Sequence, residues 1–90
     1  LKKLRRIYTM EKTIEYKTTG TCSKLIKVVA DDDVVKSVEF VGGCQGNTQG
    51  VAKLCIGRKI GELIGLLEGI DCHERGTSCP DQLAKALKTL

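Results

Sequence analysis

The stretch Leu25-Ile26-Lys27-Val28-Val29-Ala30-Asp31-Asp32-Asp33-Val34-Val35-Lys36-Ser37-Val38-Glu39-Phe40-Val41 decides how this chain folds. β-Branched residues crowd both arms, and the aspartates between them favour a turn and oppose a continuing strand. The reading is a β-hairpin with strands over 25–30 and 34–41. A solvated turn accounts for Asp31, Asp32 and Asp33 better than a calcium loop does. With the reversal near Asp32, antiparallel pairing sets Cys22 opposite about residue 42, two positions from Cys44.

Upstream of the hairpin, Thr13–Thr18 is polar but β-favouring and reads as a short edge strand. Downstream, Gly42-Gly43-Cys44-Gln45-Gly46-Asn47 reads as a flexible turn, and 48–56 as a short helix ended by Gly57. Ile60, Leu63, Ile64 and Leu67 repeat at helical spacing, so a second helix is expected over about 59–68, stopping at Gly69. The last helix is announced by Ser78 with Asp81 three residues on, which resembles a capping box, and by Pro80 in the first turn. Leu83, Ala84, Leu87 and Leu90 form its apolar stripe. Strands first and helices after predict an α+β domain: a small antiparallel sheet of two to three strands with three helices on one face.

Ninety residues allow one domain and one small core. Tyr8, Tyr16 and Phe40 are the only aromatic residues, so the core is aliphatic, and such a chain commonly draws stability from a disulfide, a metal or a partner. The net charge of +4 is carried by Lys2, Lys3, Arg5 and Arg6, while residues 11–90 hold eleven basic and eleven acidic side chains. That neutral balance argues against nucleic-acid binding. No stretch approaches the roughly 18 apolar residues that span a bilayer, and no signal-peptide core precedes the patterned region, so no membrane is involved and a cytoplasmic location is expected. Residues 1–10 are read as a mobile basic leader, 1–9 being an upstream extension, and 11–90 as a single metal-binding domain.

Four of the five cysteines, Cys22, Cys44, Cys72 and Cys79, fall at junctions between elements. Cys22 and Cys44 share the open end of the hairpin, and the loop formers from His73 to Ser78 let Cys72 and Cys79 return to one place. Gathered together they would form a tetrathiolate, which suits Zn²⁺. Cys44 and Cys79 also lie at helix starts, where free N–H groups attract anionic ligands. No Cys-x-x-Cys pair occurs, so buried core thiols are the alternative to metal ligation. Cys55 shares the apolar face of Val51 and Ala52 and reads as a core thiol, and His73 as an exposed loop histidine rather than a ligand. Gly43, Gly46 and Asn47 form a candidate anion-binding turn, and a nucleotide there is a weak expectation because no phosphate-loop or dinucleotide pattern follows. Neither a Ser/His/Asp set nor a spaced carboxylate pair is present, so no catalytic residue is assigned.

Thr77-Ser78-Cys79-Pro80-Asp81-Gln82-Leu83, with Val41-Gly42-Gly43-Cys44-Gln45-Gly46-Asn47 and Gly69-Ile70-Asp71-Cys72, resembles the TSCPD domain family from Tyr16 to the C-terminus. The likeness is greatest to its small stand-alone, four-cysteine branch, related to the C-terminal domain of adenosylcobalamin-dependent ribonucleotide reductases. It sets the family's cysteines on Cys22, Cys44, Cys72 and Cys79, with Cys55 where an aliphatic residue is expected and His73 where glycine is. A second similarity, through Cys22-Ser23-Lys24-Leu25-Ile26-Lys27-Val28, Val38-Glu39-Phe40, Gly57 and Ile60-Gly61-Glu62, is to NifU/IscU-type iron–sulfur scaffolds. It implies an IscU/NifU-like fold with a metal site at the end of the sheet.

The resemblance implies a zinc-binding accessory domain that works beside a ribonucleotide reductase subunit or another protein in deoxyribonucleotide synthesis, and so in the supply of DNA precursors. The family label would be ribonucleoside-diphosphate reductase, an oxidoreductase, yet 90 residues cannot hold the barrel and radical source that reaction needs. Two alternatives use the same sulfurs: a thiol–disulfide relay through Cys72 and Cys79, and an iron–sulfur cluster scaffold or carrier.

Overall fold

The computed structural model describes residues 10–21, 23–43 and 45–90. Strands β1 (Glu11–Lys17), β2 (Ser23–Asp31) and β3 (Val34–Gly42) precede helices α1 (Gln45–Cys55), α2 (Ile60–Leu67) and α3 (Cys79–Lys88). The sheet is antiparallel in the order β1-β2-β3, giving the α+β domain that the hairpin and the helical spacing predict. β1 is the expected edge strand, begun two residues earlier at Glu11. Of the leader expected over 1–10, only Met10 falls among the described residues. Its N–H donates to Asp31 Oδ1 and its carbonyl accepts from the Asp32 N–H, both at 3.2 Å.

The hairpin closes where the aspartates predict. Asp31 faces Val34, and Asp32 sits at φ 58°, in the left-handed region that aspartate tolerates better than most side chains. Ile26 pairs with Phe40 and Val28 with Val38, within two positions of the expected register, and Ser23 pairs with Gly42 at the open end. Val29 opposes Ser37 while Ala30 opposes Val35, so one residue of β3 bulges. The bulge resets the alternation, which lets Val35 share the inner face with Val38 and Phe40. Lys36 turns to solvent instead and meets Glu11 at 2.6 Å.

All three helices lie on that inner face. Ile26, Val28 and Val35 from the sheet meet Cys55, Leu63, Leu83 and Leu87 from the helices in one core. Burial of each large aliphatic side chain contributes about 1.5–3 kcal/mol, which is why a short stripe per helix suffices to hold the layer. The α2 stripe of Ile60, Leu63, Ile64 and Leu67 packs as its spacing predicts, and Leu90 packs on the core from beyond the end of α3. After α1, the chain runs along the outer edge of β3: Gly57 N–H donates to Val35 O at 2.8 Å and Val35 N–H to Arg58 O at 2.9 Å. Gly57 makes that turn at φ 83°.

Helix α1 also starts earlier than expected. Gly46 and Asn47, read as part of a turn, lie in the first turn of α1. Gly42 and Gly43, at φ 82° and 87°, complete the chain reversal by residue 43, so the helix can begin at Gln45. Among the described residues no helix is long and apolar enough to cross a membrane.

Candidate metal and thiol site

The start of α3 is built from polar groups that the core would otherwise exclude. Ser78 is extended at φ −156°, and its Oγ accepts the Asp81 N–H at 3.1 Å, as a cap should. The Asp81 carboxylate makes other bonds: Oδ1 accepts the Gly69 N–H at 2.7 Å and Oδ2 the Thr77 hydroxyl at 2.5 Å. Asp81 is only 3% exposed, with Lys85 Nζ 3.4 Å from Oδ2. The Thr77 hydroxyl, then the Gly69 N–H, hold its carboxyl below the usual carboxylate range. Lys85 adds to this, against a burial that alone would raise it.

Gln82, 1% exposed, extends the network. Its Nε2 donates to Thr77 Oγ1 at 2.9 Å and its Oε1 accepts the Thr19 N–H at 3.1 Å. Thr77, Asp81 and Gln82 thereby tie the β1–β2 loop and the end of α2 to the start of α3. Among the described residues each buried side-chain N or O atom has a partner, which makes the burial of a carboxylate and an amide tolerable.

On the other side of this clamp lies a cavity of about 330 Å³, whose lining includes Cys72, Cys79, Thr21, Asn47 and Thr48. Cys79 is half-buried at the first position of α3, and its thiol donates to Ser23 Oγ at 3.3 Å. Cys72 is exposed. The loop between them folds back through the Cys72 N–H to Thr77 O at 3.0 Å and the Gly76 N–H to Asp71 Oδ1 at 2.6 Å. Cys72 and Cys79 thus border the same cavity.

Cys22 and Cys44, the other two expected ligands, lie outside the described residues. Their chain neighbours are described. Ser23 bonds Cys79, Thr21 and Asn47 line the cavity, and a Cβ placed on Gly43 would stand 3.2 Å from Ser23 N. Among the described residues no group of three His, Cys, Asp or Glu side chains could hold a metal ion. The donors that are described, two free thiols on one cavity, are chemically suited to zinc, which takes sulfur ligands readily.

Cys55 is the core thiol its position predicts, 2% exposed, and burial raises its pKa against the opposing charge of Arg58. His73 is exposed, at φ 52°. Of the proposed anion turn, Asn47 lines the cavity, while Gly43 packs on Ser23 and nothing lies near a Cβ placed on Gly46. The sequence reading passed over Ser23, Thr77 and Gln82. Gln82 could have been found, since it stands four residues before Ala86 on the stripe of Leu83 and Leu87, where a polar side chain needs a buried partner.

Fold and site together define a small α+β domain in which Cys72 and Cys79 line one cavity. Residues 4–90 match the family model described as the TSCPD domain, and the chain belongs to that family. No curated protein and no solved structure matches it, so the likeness to NifU/IscU scaffolds rests on sequence pattern alone.

Proposed function

We propose that this chain is a metal-binding accessory module in which zinc is held by Cys22, Cys44, Cys72 and Cys79. The observation that carries the reading is that Cys72 and Cys79 line one cavity together with residues near the other two cysteines in the chain, Thr21 next to Cys22 and Asn47 three residues after Cys44. A closed tetrathiolate would contribute folding free energy directly, which suits a domain with a small aliphatic core. Family membership and the sequence resemblance support a place beside a ribonucleotide reductase, as an aid to deoxyribonucleotide synthesis and not as an enzyme on its own. Thiols kept free for metal suit a reducing, cytoplasmic setting.

The exposure of Cys72, on the same cavity as half-buried Cys79, favours, as a second reading, a dithiol–disulfide relay to a partner. Elemental analysis of protein purified without chelator, together with an absorption spectrum, separates the readings. One zinc per chain without colour supports the module. A metal-free protein that loses two thiols on oxidation supports the relay, and a brown chromophore supports an iron–sulfur carrier. Capture of reductase subunits by the zinc-loaded chain tests the placement.

A further inference from the structure

Among the described residues no strand pairs with the outer edge of β1, and its bonds to β2 fix the phase of its backbone. Met10 O accepts the Asp32 N–H and Thr18 N–H donates to Lys24 O, and between them Lys12, Ile14 and Tyr16 face Ala30, Val28 and Ile26. Hydrogen-bonded and non-bonded pairs alternate in an antiparallel ladder, so the even-numbered residues of β1 turn their backbone groups toward β2. Glu11, Thr13, Glu15 and Lys17 turn theirs outward, where no described strand pairs with them. The helices add little cover on this side: α1 packs on β3 and α3 on β2. Ile14 and Tyr16 are left half-buried at the margin of the core.

We propose that two copies of this chain pair antiparallel through β1, with Ile14 on the two-fold axis, so that the two sheets merge into one. The sequence Glu11-Lys12-Thr13-Ile14-Glu15-Tyr16-Lys17 is complementary to itself in that register. Glu11 of each copy faces Lys17 of the other, Thr13 faces Glu15, Lys12 faces Tyr16, and Ile14 meets Ile14. The outward-facing odd residues oppose one another, as the backbone phase requires. A slip of one residue would set a donor row against the wrong partners. The neighbouring in-phase registers set Glu11 against Glu15, or Glu15 against itself, and like charges directly opposite are unfavourable. Charge thus selects the one register that also joins the two Ile14 side chains, and the contact is isologous, as a closed dimer needs. The same contact covers an edge that would otherwise invite open-ended pairing.

Sedimentation and light scattering of the full chain across the micromolar range test this. The expected result is a species of twice the chain mass, in which the amides of Thr13 and Glu15 are protected from hydrogen exchange and lose that protection on dilution. Lys17→Glu should give a folded monomer by sedimentation and circular dichroism. Thr13→Pro, which removes only an outward-facing N–H, should also give a monomer. A wild-type chain that stays monomeric overturns the proposal. So does a dimer indifferent to Lys17→Glu, which would place the contact elsewhere, for instance on the exposed Leu54 and Leu66.

Discussion

Thr77 donates its hydroxyl to Asp81 at 2.5 Å, and this bond, with the Gly69 N–H on the other carboxylate oxygen, joins the α2–α3 loop to the helix that carries Cys79. Both donors favour the ionised carboxylate, so the folded chain holds Asp81 below its ordinary range. The stabilisation is fully present above the unfolded pKa of about 3.9 and is lost as pH falls through the folded value. Asp81→Asn should therefore cost about 1.5–3 kcal/mol near neutrality. The gap to wild type should close as acid protonates both the folded and unfolded carboxyl. Chemical denaturation of both chains across the acid range checks this, and a gap that widens toward low pH would refute the assignment.

The fold was legible because two periodicities stood side by side. Alternating β-branched residues around Asp31–Asp33 marked the hairpin, and Ile60, Leu63, Ile64 and Leu67 marked a helix with a single buried face. The start of α1 was not legible, because glycine at 42 and 43 signals a turn without saying where the turn ends. The bulge at Lys36 was hidden for a similar reason: Val34-Val35 offers two apolar residues to one inward position, and only packing decides between them. At the site, the cysteines advertised themselves, whereas the clamp of Thr77, Asp81 and Gln82 depends on partners distant in sequence, Thr19 above all.

The cysteines should divide into two kinds. On the proposed tetrathiolate, Cys72→Ser and Cys79→Ser should each abolish zinc binding, and with it any stability that the metal confers. Cys55→Ala removes a core atom outside the proposed ligand set and should cost about 1–2 kcal/mol through the cavity left behind, with zinc binding unchanged. Zinc content and thermal midpoint measured on the same preparations check the division. Equal losses in all three variants would remove it.

Leucines of the same composition should differ by their burial. Leu83 is 0% exposed in the core, and Leu83→Ala should cost about 2–5 kcal/mol. Leu54 is 71% exposed, and Leu54→Ala should lie within about 0.5 kcal/mol of wild type. Denaturant midpoints at constant slope give both values.

Two glycine substitutions should act in opposite directions. Gly43 has φ 87°, and an added Cβ would stand 3.2 Å from Ser23 N and 3.4 Å from Ser23 Cα, both backbone atoms that cannot swing aside. Left-handed backbone costs a β-carbon about 1–2 kcal/mol before any contact is considered, so Gly43→Ala should be destabilising. Because Gly43 and Ser23 adjoin Cys44 and Cys22, the same variant should also hold zinc less tightly, read by competition with a chromogenic chelator. Gly65 lies inside α2 with nothing within 4 Å of an added Cβ. Gly65→Ala relieves the entropy that glycine loses in a helix and should stabilise by about 0.5–1 kcal/mol, with zinc affinity unchanged. If Gly43→Ala kept both stability and zinc affinity, the close approach of the two cysteine-bearing turns would not be what holds the site together.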